Sequence, residues 1–203
     1  MNGFELRKQK KRKEIIASAF TLFNQEGVKA VKVSDIAKDA SVSQVTIYNH
    51  FNSKEELVRE VIKDYMNTQF TLFKNLLQEE KSFSEVIEMI ILEKNQAVQQ
   101  INPSLLEEML STDEKLKEYV DHFYQTKTLP LFIQLLQKAQ ERGEVNPSLS
   151  MEAVIFYLNA MKAEAQRVPV EEWSKREKFL QDVLHLFFYG LNGKQQTDSH
   201  SSE

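Results

Sequence analysis

Apolar residues recur along this chain at spacings of three and four, the period of amphipathic helices. Ile15, Ile16, Ala19, Phe20 and Phe23 form one stripe, which predicts a helix from about Phe4 to Glu26, stopped by Gly27 as its C′ residue. A short pattern follows, with Val33, Ile36, Ala37 and Ala40 on one face, and then the polar turn Ala40-Ser41-Val42-Ser43. A second short helix runs from Gln44 to His50. Ser53 and Glu56 then make a capping box ahead of a long stripe: Leu57, Val58, Val61, Ile62, Tyr65, Met66, Phe70, Phe73 and Leu77. Two short helices joined by about three residues, held between two long ones, are a helix-turn-helix arrangement.

Beyond Glu80 the pattern stays helical, with segments expected at 82–101, 103–111, 113–142, 148–167 and 170–191. Breaks fall near Asn102-Pro103, Gly143, Asn146-Pro147 and Pro169, and Pro130 should kink or split the third segment. The expected fold is therefore all-α: an N-terminal three-helix domain with a helix-turn-helix over residues 1–52, then a larger helical body over 53–192. Residues 193–203, GKQQTDSHSSE, are polar and aperiodic, which predicts a disordered tail. No flexible linker separates head from body, so the helix starting at Ser53 is expected to join them.

Composition narrows the class. With 41% hydrophobic and 28% charged residues, five Gly and four Pro, the chain is globular and poor in turns. It has no Cys, which removes disulfides, thiolate metal sites and Cys nucleophiles and fits a cytoplasmic protein. No apolar h-region follows the N-terminal charges, and no apolar run approaches ~18 residues, so neither a signal peptide nor a membrane span is expected. The net charge of −4 is unevenly spread: residues 1–54 carry +5 and the remainder −9. A basic head on an acidic body points to a polyanion at one end. An enzyme is not expected, because His50, His122, His185 and His200 sit in no nucleophile or acid–base motif and no Gly-rich phosphate loop exists. Glu118 and His122 share a helix face without a third ligand fixed by spacing, so no metal and no cofactor is expected.

The stretch from Val33 to Leu57 contains Asp-Ile-Ala at 35–37, Ala-Ser-Val-Ser at 40–43, Thr-Ile-Tyr at 46–48, His-Phe at 50–51 and Ser-Lys-Glu-Glu-Leu at 53–57. This block closely resembles the N-terminal signature of the TetR family over about residues 10–60. The resemblance implies a homodimeric regulator that binds double-stranded operator DNA. Three positions depart from the family's habit: Lys32 stands where a capping Thr is common, Ser41 where Gly is common, and Val45 where Gly or Pro is frequent. A non-Gly residue at Ser41 should strain the turn slightly.

With Ser43 as N-cap, helical phase puts Ile47 and Phe51 on one side, Val45 and Asn49 on the other, Gln44 with Tyr48 on one flank and Thr46 with His50 on the opposite flank. Gln and Asn can pair bidentately with adenine, and a Val methyl can touch a thymine methyl, so Gln44, Val45 and Asn49 are the expected base readers. Thr46, Tyr48, His50 and Lys54 are the expected phosphate contacts. For Thr46, Tyr48 and Lys54 the resemblance implies the same.

Segments 148–167 and 170–191 carry wider apolar faces than one subunit need hide, and the resemblance implies that they pair with their twins in a dimer reading a pseudo-palindrome. Candidate lining for a pocket holding a small apolar or amphipathic effector comprises Phe73, Met89, Glu93, Met109, His122, Phe123 and Tyr157. Such an effector would make the protein a ligand-released repressor. The alternative is a DNA-docked adaptor whose acidic body binds a protein partner.

Overall fold

The computed structural model describes residues 3–78, 81–89, 102, 105, 113–165, 167, 178, 182–183 and 185–187. Every regular element among the described residues is helical. The labelled helices are α1 (Gly3–Glu26), α2 (Val33–Asp39), α3 (Gln44–Phe51), α4 (Lys54–Leu76), α5 (Glu114–Phe123), α6 (Leu129–Glu141) and α7 (Met151–Ala165). Residues 83–89 add a short helical stretch. The anticipated segments 103–111 and 170–191 fall largely outside the described residues, as does the tail 193–203.

The described residues divide into two compact units. The first holds residues 3–76, 102, 105 and 113–128, and the second holds 77–78 and 81–89 together with the described residues from 129 onward. In the first, α1 supplies Ile15, Ile16, Ala19 and Phe23 to a shared core; α2 adds Val33, Ile36 and Ala37, and α3 adds Ile47 and Phe51. Leu57, Val58, Val61 and Ile62 of α4 close it, with Leu105 and Leu116 from later in the chain. Each large side chain buried there contributes about 1.5–3 kcal/mol. Polar ties fix the elements in register: the Ser18 hydroxyl donates to Asp39, and Arg12 pairs with Glu60.

Local chemistry sets each boundary. Gly27 ends α1 at φ 84°, with its N–H bonded to the Phe23 carbonyl at 2.9 Å. Lys32 precedes α2 without a capping acceptor, and the Asp35 carboxylate accepts the Lys32 N–H at 2.9 Å, half of a capping box. Ser53 Oγ accepts the Glu56 N–H at 3.1 Å, while the Glu56 carboxylate takes the Asn52 side-chain amide at 2.9 Å instead of closing the expected box. Ser41 lies at φ 53°, in the left-handed region its sequence position suggested. Ser41→Gly is expected to stabilise the protein by about 0.5–1 kcal/mol, read as a raised urea midpoint. A lowered midpoint would show that the turn carries no strain.

Segment 113–142 forms α5 and α6 joined by a π turn at Tyr124–Thr128. Pro130, in the first turn of α6, has no N–H for the carbonyl one turn back and its ring crowds that carbonyl, and the segment is divided just ahead of it by this widened turn. A polar ladder runs between α4 and residues 113–127 inside the first unit. Arg59 pairs with Asp113 at 2.6 Å, the Asn67 amide donates to Tyr119 Oη at 2.8 Å, and Lys127 Nζ donates to Asn67 Oδ1 at 2.7 Å. Lys127 also lies 4.6 Å from the Phe123 ring centroid. Asp113 caps α5 by accepting the Leu116 N–H at 2.9 Å, and that bond, reinforced by Arg59 against the cost of desolvation, holds its carboxyl below the ordinary range.

The second unit packs Phe83, Ile87, Leu136, Ala139, Val145, Val154 and Phe187 together. Glu144 accepts the Phe83 N–H, and Gly143 at φ 70° turns the chain out of α6. Tyr157 stacks on Phe187 at 5.2 Å between centroids.

Candidate nucleic-acid interface

The second short helix, α3, is built to present one face. Ser43 is its N-cap, with Oγ accepting the Thr46 N–H at 3.0 Å and lying 2.8 Å from Thr46 Oγ1. Ile47 and Phe51 are buried, at 1% and 0% exposure, which anchors the helix in the core it shares with α1, α2 and α4. The opposite side is open: Gln44, Val45, Tyr48 and Asn49 are all exposed, Val45 at 67% and Tyr48 at 46%. An apolar Val and a Tyr left in solvent on a helix this short invite an external partner. Thr46 and His50 are half-buried on the flank.

His50 sits against Phe51, with ring centroids 5.9 Å apart. Partial burial, then the charges of Lys8 and Arg12 from α1, push its imidazole below the ordinary histidine value. Arg12 reaches across the end of α3, its guanidinium carbon 4.9 Å from the Phe51 ring centroid. Burial works to raise the Glu60 carboxyl, but hydrogen bonds from Arg12 and Lys63 outweigh it and hold the group ionised below its usual range.

Lys54 does something its sequence position did not reveal. Its ammonium donates to the carbonyls of Val28 at 2.6 Å and Val31 at 2.5 Å, clamping the loop between α1 and α2, and lies 6.0 Å from the Phe23 ring centroid. Two of its three donors are thus used internally.

The anticipated pocket residues do not gather in one unit. Phe73, His122 and Phe123 belong to the first, where Phe123 packs edge-on to Phe70 at 5.7 Å and His122 is exposed. Met89 and Tyr157 belong to the second, and Glu93 and Met109 lie outside the described residues. A cleft in the second unit beside Leu77, Phe83 and Ala139 has a volume of about 20 Å³, room for a water molecule rather than an effector. No helix among the described residues is long and apolar enough to cross a membrane.

A three-helix head with an exposed second short helix, clamped by a long helix behind it, defines a DNA-binding transcriptional regulator of the helix-turn-helix class. The family model described as "Bacterial regulatory proteins, tetR family" matches residues 15–61, the stretch that runs from the core part of α1 into α4. No curated protein sequence matches the chain. Among solved structures, it is similar to the TetR transcription regulatory protein from Mycobacterium vanbaalenii, at 22% identity and TM-score 0.62, covering 93% of this chain and 99% of that one. It is similar to the fatty acid degradation regulator FadR from Bacillus halodurans, at 20% identity and TM-score 0.63 over 88% and 98%. FadR from Bacillus subtilis, solved in complex with stearoyl-CoA, aligns at 19% identity and TM-score 0.57 over 85% and 95%. At these identities the structures establish the shared fold.

Proposed function

We propose that this protein is a repressor that reads a pseudo-palindromic operator as a homodimer and is released by a small apolar or amphipathic effector. The observation that carries the reading is the exposed face of α3. Gln44, Val45 and Asn49 are exposed there and have the chemistry to read base edges in a major groove, and Tyr48, Thr46 and His50 beside them have the chemistry to meet phosphates. Lys54 spends two N–H groups on the loop, and in this reading its third meets a phosphate. Dimerisation is supported by Phe156 of α7 and by Leu186, 75% and 68% exposed, in the region with the widest apolar faces. The stearoyl-CoA bound to the Bacillus subtilis FadR supports an acyl-chain class of effector.

Enrichment of randomised duplexes by the full-length protein tests the reading. A pseudo-palindrome should emerge, and Gln44→Ala should relax one position in each half-site, a loss of about 1–3 kcal/mol of discrimination there. Enrichment of no motif, or a motif unchanged in Gln44→Ala, counts against it. Long-chain acyl-CoA thioesters added to the complex should dissociate it; a complex that persists with each of them speaks against this effector class.

A further inference from the structure

The first two turns of α1 run ahead of everything that packs. The family match begins at residue 15, the first core residue is Ile15, and residues 3–10 are all exposed. This stretch carries Arg7, Lys8, Lys10, Lys11, Arg12 and Lys13 against only Glu5 and Glu14. Lys11 pairs with Glu14 at 2.6 Å and Arg12 with Glu60, whereas Arg7, Lys8, Lys10 and Lys13 make no ion pair among the described residues. Like charges three and four residues apart, such as Lys8 with Arg12 and Lys10 with Lys13, each cost an isolated helix about as much as an ion pair there would contribute. Folding stability alone therefore gives no reason for this sequence.

Its placement does. Arg12 lies on the same face of α1 as Ile16 and Phe23, and its guanidinium covers the Phe51 ring at the C-terminal end of α3. Lys8 is one turn earlier on that face, about 6 Å further along the axis, and close enough to His50 for its charge to act there. The exposed basic turns thus begin beside the C-terminal end of α3, next to the half-buried flank that carries His50. We propose that residues 3–13 of α1 form a second duplex contact, gripping the phosphate backbone that flanks each half-site, with Lys8 nearest the recognition helix and Arg7 and Lys10 further out. The inference rests on the operator reading above and adds to it a grip that does not depend on base sequence.

The salt dependence of binding separates the two. Full-length protein, Lys8→Gln/Lys10→Gln and a control, Lys115→Gln/Lys117→Gln on exposed α5 positions, are titrated onto the enriched duplex. The duplex is used with flanks of about one helical turn and again trimmed to its ends. Gln preserves helix propensity. With flanks, the slope of log K against log salt should become shallower by about 2 or more in Lys8→Gln/Lys10→Gln, at least one phosphate per protomer. On the trimmed duplex that variant should match wild type, and the control should follow wild type throughout. A slope unchanged by Lys8→Gln/Lys10→Gln overturns the flanking grip while leaving base reading by α3 intact. Failure to enrich any motif overturns the operator reading itself. Because Phe4 and Leu6 are 61% and 53% exposed, the same proteins are also sedimented with phosphatidylglycerol vesicles. Vesicle capture lost in the variant, with its DNA slope unchanged, would assign the basic turns to a membrane surface instead.

Discussion

Operator affinity should fall about 10³–10⁵-fold between 50 and 200 mM salt. The magnitude follows from a dimer touching roughly 6–10 phosphates, each releasing most of one counterion when a cation replaces it. The charge distribution requires a steep dependence: the +5 of residues 1–54 meets the duplex, while the −9 of the remainder repels it at longer range. The same asymmetry makes the orientation of encounter selective, since only the head lowers its energy by approaching DNA. Fluorescence anisotropy across a salt series reads the effect. A fall of less than tenfold over that range would mean that few phosphates are engaged and that the basic residues are a solvated surface.

Phe51→Ala should abolish DNA binding by unfolding the head, although its side chain touches no base. Phe51 is fully buried among the core residues of α1, α2 and α4, and Arg12 covers the exposed edge of its surroundings. Removing a buried Phe costs about 3–5 kcal/mol, a large part of the roughly 5–15 kcal/mol that holds a typical domain together. Urea unfolding followed by circular dichroism should show the loss directly. Gln44→Ala supplies the contrast, with its unfolding midpoint at the wild-type value and only its base preference altered. A Phe51→Ala protein that unfolds within about 1 kcal/mol of wild type would show that α3 is held by something other than its buried face.

Much of the head is legible in the sequence because its information is local. The stripe Ile15, Ile16, Ala19, Phe23 and the stop at Gly27 are short-range features, and so is the phase that buries Ile47 and Phe51 together. Ser41 could be marked as a strained position because the turn chemistry around it is local too. The ladder Arg59–Asp113, Asn67–Tyr119 and Asn67–Lys127 was not legible, since helical period says which face a residue occupies and nothing about its partner on another helix. The clamp that Lys54 makes on the loop was not legible for the same reason: its partners are backbone carbonyls, which leave no mark on residue identity. Pocket residues chosen for being apolar or aromatic carried no information about which unit each joins, and they divide between two.

The first unit takes in Asp113, Leu116 and the rest of residues 113–128, far downstream of the side chains proposed to read DNA. During synthesis, then, the head is spelled out early and completed late. A nascent chain stopped short of residue 113 would contain the whole helix-turn-helix and still lack Leu116 from its core and Asp113 opposite Arg59. Such a fragment would be a poor competitor for DNA, so interrupted translation yields little protein able to bind through the helix-turn-helix alone.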